Sequence, residues 1–314
     1  MCTCITYLNG DFYFGRNLDL DCSFAEAVTI TPRNFPLDFR KAGRLEHHYA
    51  MIGMASKNDS FPLYAEAVNE KGLCMAGLNF PGNAFYRKPA GQNLGIASFE
   101  VIAWILGKCA SVSEAEEYLK QMTIVDSAFS ERMVSAPLHW MLVDREKCLV
   151  IEPVREGLKV YDNPFGVLTN NPPFEYHRMN MNNYMNLSPK TPGNHFTDKL
   201  ELKPYGQGLG AFGLPGDSSP ASRFVRAAFL KCNSVAPKEE GASVAQFFHV
   251  LDAVAMVRGA VVTEQGTYDI TMYSCCVNTR TGVYYYKTYD DVQVRAVDMN
   301  GEDLEGDKMK IYEL

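Results

Sequence analysis

Alternating apolar and polar positions open the chain, with Cys2-Thr3-Cys4-Ile5-Thr6-Tyr7 and Phe12-Tyr13-Phe14 flanking Leu8-Asn9-Gly10-Asp11. The pattern predicts two strands joined by an Asn-Gly turn of type I′, so the chain begins inside a sheet. Further runs with strand character cover residues 27–31, 138–143, 148–154, 158–161, 269–277, 283–289 and 292–297. Helical spacing covers 97–108, then a segment opened by Ser113-x-x-Glu116 as a capping box and running to Met122, then 222–232 and 243–256. In the last of these, Phe247, Phe248, Leu251 and Val254 form one apolar stripe. Strand blocks at both ends with helix pairs between them predict an α+β layered architecture rather than alternating βαβ units. Neither an internal repeat nor a low-complexity linker divides the sequence, so residues 1–314 read as a single domain. Gly-, Pro- and Asn-rich loops are expected at 57–62, 80–92, 181–196 and 205–219, where they would wall a pocket on a rigid sheet.

With 314 residues and 46% hydrophobic content, the chain can bury a core without staples. A net charge of -7 leaves no basic excess for a phosphate backbone or an anionic lipid surface, which excludes nucleic acid as an expected partner. The first positive charge is Arg16, so no basic leader precedes an apolar stretch, and the densest apolar run, 101–106, is far short of the roughly 20 residues of a membrane span. The expectation is a cytoplasmic protein without membrane insertion. Nine cysteines, an odd number, are scattered without a framework, and Cys2-x-Cys4 has no second ligand pair, so neither disulfides nor a metal is expected.

Chemistry concentrates at the start. Methionine aminopeptidase removes an initiator Met that precedes a small residue, and Cys qualifies. Cys2 would then carry a thiol of ordinary pKa about 8.5 and an α-amine of about 7.7 to 8.0, a nucleophile and a base on one residue. By position alone Cys2 reads more readily as an ordinary small residue at a frayed end. Gly15-Arg16-Asn17-Leu18-Asp19 changes that, because the second strand of the hairpin carries Arg16 and Asp19 back toward Cys2. A guanidinium there favours thiolate and a carboxylate can hold the amine. An exposed Arg/Asp pair is the alternative reading of the same residues.

Met1-Cys2-Thr3 followed by Tyr13-Phe14-Gly15-Arg16-Asn17-Leu18-Asp19 resembles the start of the choloylglycine hydrolase family, which contains bile salt hydrolases and penicillin V acylases. The likeness continues through Asn69-Glu70-Lys71-Gly72-Leu73, Ala76-Gly77-Leu78-Asn79-Phe80, Val167-Leu168-Thr169-Asn170, Gly213-Leu214-Pro215-Gly216-Asp217, Ser222-Arg223-Phe224 and Ala296-Val297-Asp298-Met299-Asn300. The resemblance implies the N-terminal-nucleophile fold, a four-layer αββα sandwich of two antiparallel sheets. It implies Cys2 as nucleophile, Arg16 and Asp19 tuning and orienting it, Asn79 and Asn170 as the oxyanion hole, and Arg223 completing the polar cluster. It also implies a homotetramer and a reaction without metal or organic cofactor.

Gly77-Leu78-Asn79-Phe80-Pro81 is similar to the bile salt hydrolase version of this site, which makes a glycine- or taurine-conjugated bile salt the expected substrate. Leu20, Phe24, Phe61 and Phe129 are candidate walls for a steroid. Two departures stand out: Cys4, expected to be a bystander thiol, and Tyr205-Gly206-Gln207-Gly208, which bears on head-group preference. His139 and His249 sit in apolar patterns and read as satisfied core histidines. Two rival functions remain open: a penicillin V acylase with the same chemistry, and a non-catalytic thiol- or metal-binding protein using Cys2-x-Cys4.

Overall fold

A computed structural model describes residues 1–58, 60–88, 94–131 and 133–314. The parts of the expected loops 57–62 and 80–92 that fall at 59 and 89–92 lie outside the described residues.

Two antiparallel sheets form the middle of the molecule. In the six-stranded sheet, Val167–Leu168 pairs with Cys2–Asn9 (β1), then Asp11–Leu20 (β2), Ile270–Asn278, Val283–Thr288 and Arg295–Asp298. The eight-stranded sheet runs Gly157–Asp162, Cys148–Val154, Leu138–Val143, Cys74–Asn79, Leu63–Asn69, Met51–Ser56, Glu26–Thr31 and Lys310–Glu313. Helices α1 (Val101–Lys108) and α2 (Val112–Leu119) share a core with the outer face of the eight-stranded sheet. A short α3 (Phe174–Asn180) leads toward α4 (Pro220–Asn233) and α5 (Glu240–Asp252), which cover the six-stranded sheet. The expected α+β, four-layer αββα order is therefore present.

Each sheet is covered on both faces, which explains what the alternation pattern missed. Strands 51–56, 63–69 and 74–79 are buried almost throughout and rich in Ala, Gly and Met, so period-two contrast is lost. Elsewhere the boundaries shift. The last strand of the six is Arg295–Asp298 rather than 292–297, and α5 spans Glu240–Asp252 rather than 243–256. The cap of α2 acts two residues earlier than expected, because Ser111 Oγ accepts from Glu114 N while the Glu114 carboxylate accepts from Ala110 N. Pro220 opens α4 behind Ser219, its φ already suited to a first turn.

The first turn also differs. A type I′ turn needs positive φ at both Asn9 and Gly10, yet only Gly10 has it, at 76°, and Asn9 pairs with Asp11. Asn9 is instead tied outward, its Nδ2 donating to Pro237 O at 2.8 Å and Ser243 Oγ at 2.9 Å. The register that follows sets Cys2 opposite Leu18 and Cys4 opposite Arg16.

Between β2 and strand 270–278, Gly15 permits close approach, since a Cβ there would fall 2.0 Å from Cys275 O. Gly15→Ala should therefore cost about 2 kcal/mol or more in urea unfolding. A variant as stable as the parent would contradict that packing.

Candidate active site

Opposed residues on antiparallel strands share a face, so the register places Cys2, Cys4, Arg16 and Leu18 between the sheets. Thr3, Asn17 and Asp19 point the other way, toward the helices; Asn17 Nδ2 donates to Leu251 O of α5 at 2.8 Å. Arg16 and Asp19, paired in the sequence reading, thus serve different sides of the hairpin. One faces the thiol and the other lies on the side of α4.

On the α4 side, Arg223 is fully buried and is a hub. Its Nη1 donates to Cys2 O and to Thr3 Oγ1 (2.6 Å), its Nη2 to Asn170 Oδ1 (2.8 Å) and its Nε to Ser218 O (3.0 Å). The Cys2 backbone N–H donates to the same Asn170 Oδ1 at 2.9 Å. Asn170 Nδ2 donates one hydrogen to Asn79 O at 2.8 Å and has a second to offer. Burial lowers the Arg223 pKa, against the pull of Asp19 and Cys2.

Asp19 is buried beside this hub. A bulge in strand 270–278 between Thr271 and Tyr273 sets Thr271 opposite it, and Thr271 Oγ1 donates to Asp19 Oδ1 at 2.6 Å. Asp19 Oδ2 has no hydrogen-bond partner among the described residues. Burial raises the Asp19 pKa, opposed by Arg223 and the chain's amino terminus. That terminus, the Met1 ammonium, donates to Asp19 O and at 3.2 Å to Asp269 Oδ2.

On the thiol side, Arg16 Nη1 donates to Gly77 O (2.6 Å) and Ala65 O (3.1 Å), and its Nε lies 3.8 Å from Glu66 Oε2. Burial works to lower its pKa, but Cys2, Tyr273 and Glu66 together raise it above the ordinary arginine value. Cys2 and Arg16 open on an apolar cavity of about 380 Å³. Leu20, Phe24 and Phe129 line it as expected. Phe61 does not: it is buried behind the wall, edge-on to Phe99 at 5.7 Å, and Phe99 takes the lining position. Asn79 is exposed at the end of its strand and lines the same cavity.

His139 is a core residue with both nitrogens partnered, by Glu152 Oε1 at 3.1 Å and Thr169 O at 3.0 Å. His249 is the opposite of the expectation, because it lies on the exposed face of α5 while Phe247, Phe248 and Leu251 turn inward. Cys4 is fully buried, its thiol pKa driven well up by burial. Residues that the sequence reading missed include Glu66, Thr271, Asp269 and His177. Of these only Glu66 left a signal, as a lone charge inside the apolar strand Leu63–Asn69. Among the described residues no group of three His, Cys, Asp or Glu side chains gathers to hold a metal.

Two antiparallel sheets between helix layers, with Cys2 at the start of an inner strand, are the arrangement of the N-terminal-nucleophile hydrolase fold. Residues 2–312 match the model of the linear amide C-N hydrolases, choloylglycine hydrolase family, and the chain belongs to that family. It is 49% identical to a bile salt hydrolase/transferase of Lactiplantibacillus plantarum over 100% of this chain and 97% of that protein. It is 39% identical to a bile salt hydrolase/transferase of Clostridium perfringens, over 99% and 96%. Among solved structures, a mutant conjugated bile acid hydrolase from Clostridium perfringens matches with TM-score 0.92 at 40% identity, covering 100% of this chain and 97% of that one. Penicillin V acylase from Agrobacterium tumefaciens shares the fold, with TM-score 0.79 at 20% identity over 99% and 91%. The chain is thus an amide C–N hydrolase by family.

His177 offers a pH test of this architecture. Its Nε2 donates to Asn170 O at 3.0 Å, its ring stacks on Phe224 at 4.8 Å, and burial pulls its pKa down from 6.5 to about 4. Between those values the unfolded chain binds a proton that the folded chain does not. Stability should therefore fall by roughly 3 kcal/mol as pH drops from about 6.5 to about 4. Urea unfolding at pH 7.5 and 4.5 should show that slope in the parent and a flatter one in His177→Gln; equal slopes would contradict it.

Proposed function

We propose that the protein hydrolyses the amide bond of glycine- or taurine-conjugated bile salts, with Cys2 as nucleophile after Met1 is removed. The observation that carries this reading is that Cys2 and Arg16 open onto one apolar cavity walled by Leu20, Phe24 and Phe129, wide enough for a rigid hydrocarbon acyl group. The names of relatives matched along nearly their whole length support the same substrate.

In the proposed sequence the Cys2 thiolate attacks the amide carbonyl carbon, forming a C–S bond. Charge develops on the carbonyl oxygen, where the Asn79 side-chain amide and the remaining Asn170 Nδ2 hydrogen can donate, each such donor being worth roughly 3 to 4 kcal/mol. The freed Cys2 ammonium gives a proton to the leaving nitrogen as the C–N bond breaks, leaving a thioester. Water then loses a proton to the same amine, adds to the thioester, and the C–S bond breaks to release the free acid. Asp19 Oδ2, without a partner while Met1 is attached, is the acceptor suited to that ammonium. Arg223 and Asn170 fix the Cys2 backbone, and Arg16 supplies positive charge beside the thiol. An amine replacing water in the last step would make a new amide, in keeping with the transferase in the relatives' names.

The catalytic unit in this reading is the single domain 1–314, its mature chain starting at Cys2, and it works in the cytoplasm, where a chain with nine unpaired thiols is at home. It assembles as a homotetramer, supported by exposed Met185, Phe196, Tyr205 and Phe212 along one loop segment. Sedimentation equilibrium should give four times the 35.1 kDa chain mass, and a monomer would contradict the assembly. The main test is intact mass with turnover. Active protein should lack Met1, hydrolyse glycocholate much faster than penicillin V, and lose activity by about 10⁴-fold or more in a folded Cys2→Ala variant. Full activity with Met1 retained, or faster turnover of the penicillin, would overturn the reading.

A further inference from the structure

We propose that Glu66 is a positioning residue for this reaction: its carboxylate, sealed between the two sheets, holds the Arg16 guanidinium beside Cys2 and sets how much positive charge remains for the thiolate. The inference rests on Cys2 being the nucleophile.

Glu66 is 1% exposed, yet both oxygens are engaged. Oε1 accepts from Tyr284 OH at 2.6 Å, Met54 N at 3.3 Å and Cys275 Sγ at 3.5 Å. Oε2 accepts from Tyr273 OH at 2.7 Å and lies 3.8 Å from Arg16 Nε. Tyr273 and Tyr284 come from the six-stranded sheet and Glu66 from the eight-stranded one, so the carboxylate pins the two sheets together at Arg16. A charge this deep is retained only with a partner and donors to match it.

The guanidinium is asymmetric in what surrounds it. Its Nη1 is spent on the Gly77 and Ala65 carbonyls, and its Nε donates to Asn17 O at 3.5 Å while lying 3.8 Å from Glu66 Oε2, an ion pair rather than a hydrogen bond. Its Nη2 has no hydrogen-bond partner among the described residues, and Arg16 shares the cavity with Cys2. Glu66 and the Cys2 thiolate therefore compete for one positive charge from different edges of the same plane. The titratable groups around this charge are Cys2 and Cys4 of β1, Glu66 from the facing sheet, and Tyr273, Cys275 and Tyr284 from the neighbouring strands of its own sheet. On the far side of the sheet Arg223 interacts with both Cys2 and Asp19. Burial raises the pKa of Glu66, and the Arg16 charge with the Tyr284 and Tyr273 hydroxyls works against that rise.

The test follows alkylation of the Cys2 peptide by iodoacetamide against pH, read by mass spectrometry, alongside kcat and KM. Glu66→Gln removes the competing negative charge. Its alkylation midpoint should move down by about half a pH unit or more, with kcat at least tenfold lower and KM within about twofold. Glu66→Asp keeps the charge but withdraws it from Arg16, so its kcat should be intermediate and its midpoint should move down by less than that of Glu66→Gln. A folded Glu66→Gln with the parent midpoint or the parent kcat overturns the proposal. If that variant does not fold, parent kcat in Glu66→Asp overturns it instead. These outcomes affect Glu66 alone in an active parent, whereas activity surviving in Cys2→Ala would remove the underlying reading.

Discussion

Two guanidinium groups are buried on opposite faces of one hairpin, and the rest of the site depends on how the fold makes that tolerable. Desolvating an arginine costs several kcal/mol unless its donors are matched. Arg223 is matched by backbone and amide oxygens around Cys2 and Asn170, and Arg16 by three carbonyls and the nearby Glu66 carboxylate. Because the β1–β2 register sets Cys2 opposite Leu18, a single residue shares a cavity with one guanidinium on its thiol side and accepts a hydrogen bond from the other at its backbone carbonyl. A slip of one residue would reverse the faces and separate the thiol from Arg16.

The cavity extends this economy of position. Its walls are apolar, so charges at its inner end act in a medium far less screening than water, and small changes in their balance become large changes in reactivity. Side chains from well-separated segments meet there: the β1–β2 hairpin with Phe24 beyond it, strands 51–56, 63–69 and 74–79, α1 with its preceding turn, and the stretch from Phe129 into strand 138–143. None is contiguous in sequence. The four-layer arrangement is what brings them to one end of the sandwich, and Phe99 edge-on to Phe129 at 5.2 Å closes the wall.

How much of this was legible in the sequence follows from the same physics. The first hairpin, both late helices and the layered class could be read, because their apolar periodicity is intact. Strands 51–56, 63–69 and 74–79 could not, being buried on both sides and built from small residues. Motif resemblance pointed to Cys2, Arg16, Asp19, Asn79, Asn170 and Arg223, and the fold gathers all six around one strand end. Their division between two faces needed the register. Phe61 looked like a wall residue because an aromatic next to a loop reads the same whether it faces a cavity or the core behind it. Glu66 escaped notice because its partners, Tyr273 and Tyr284, lie more than 200 positions away. His249 was misplaced because one polar residue within an apolar stripe does not reveal which side of the helix it takes.

The account's central claim is that the hairpin gives the thiol and the α-amine of Cys2 separate, prepared surroundings. A crystal structure of the chain beginning at Cys2 tests it most directly, through the position of the α-nitrogen. The account predicts that nitrogen within about 3.2 Å of Asp19 Oδ2, a hydrogen-bond distance, with the Sγ still on the Arg16 side. An α-nitrogen turned out to solvent, with Asp19 Oδ2 still unpartnered, would contradict it.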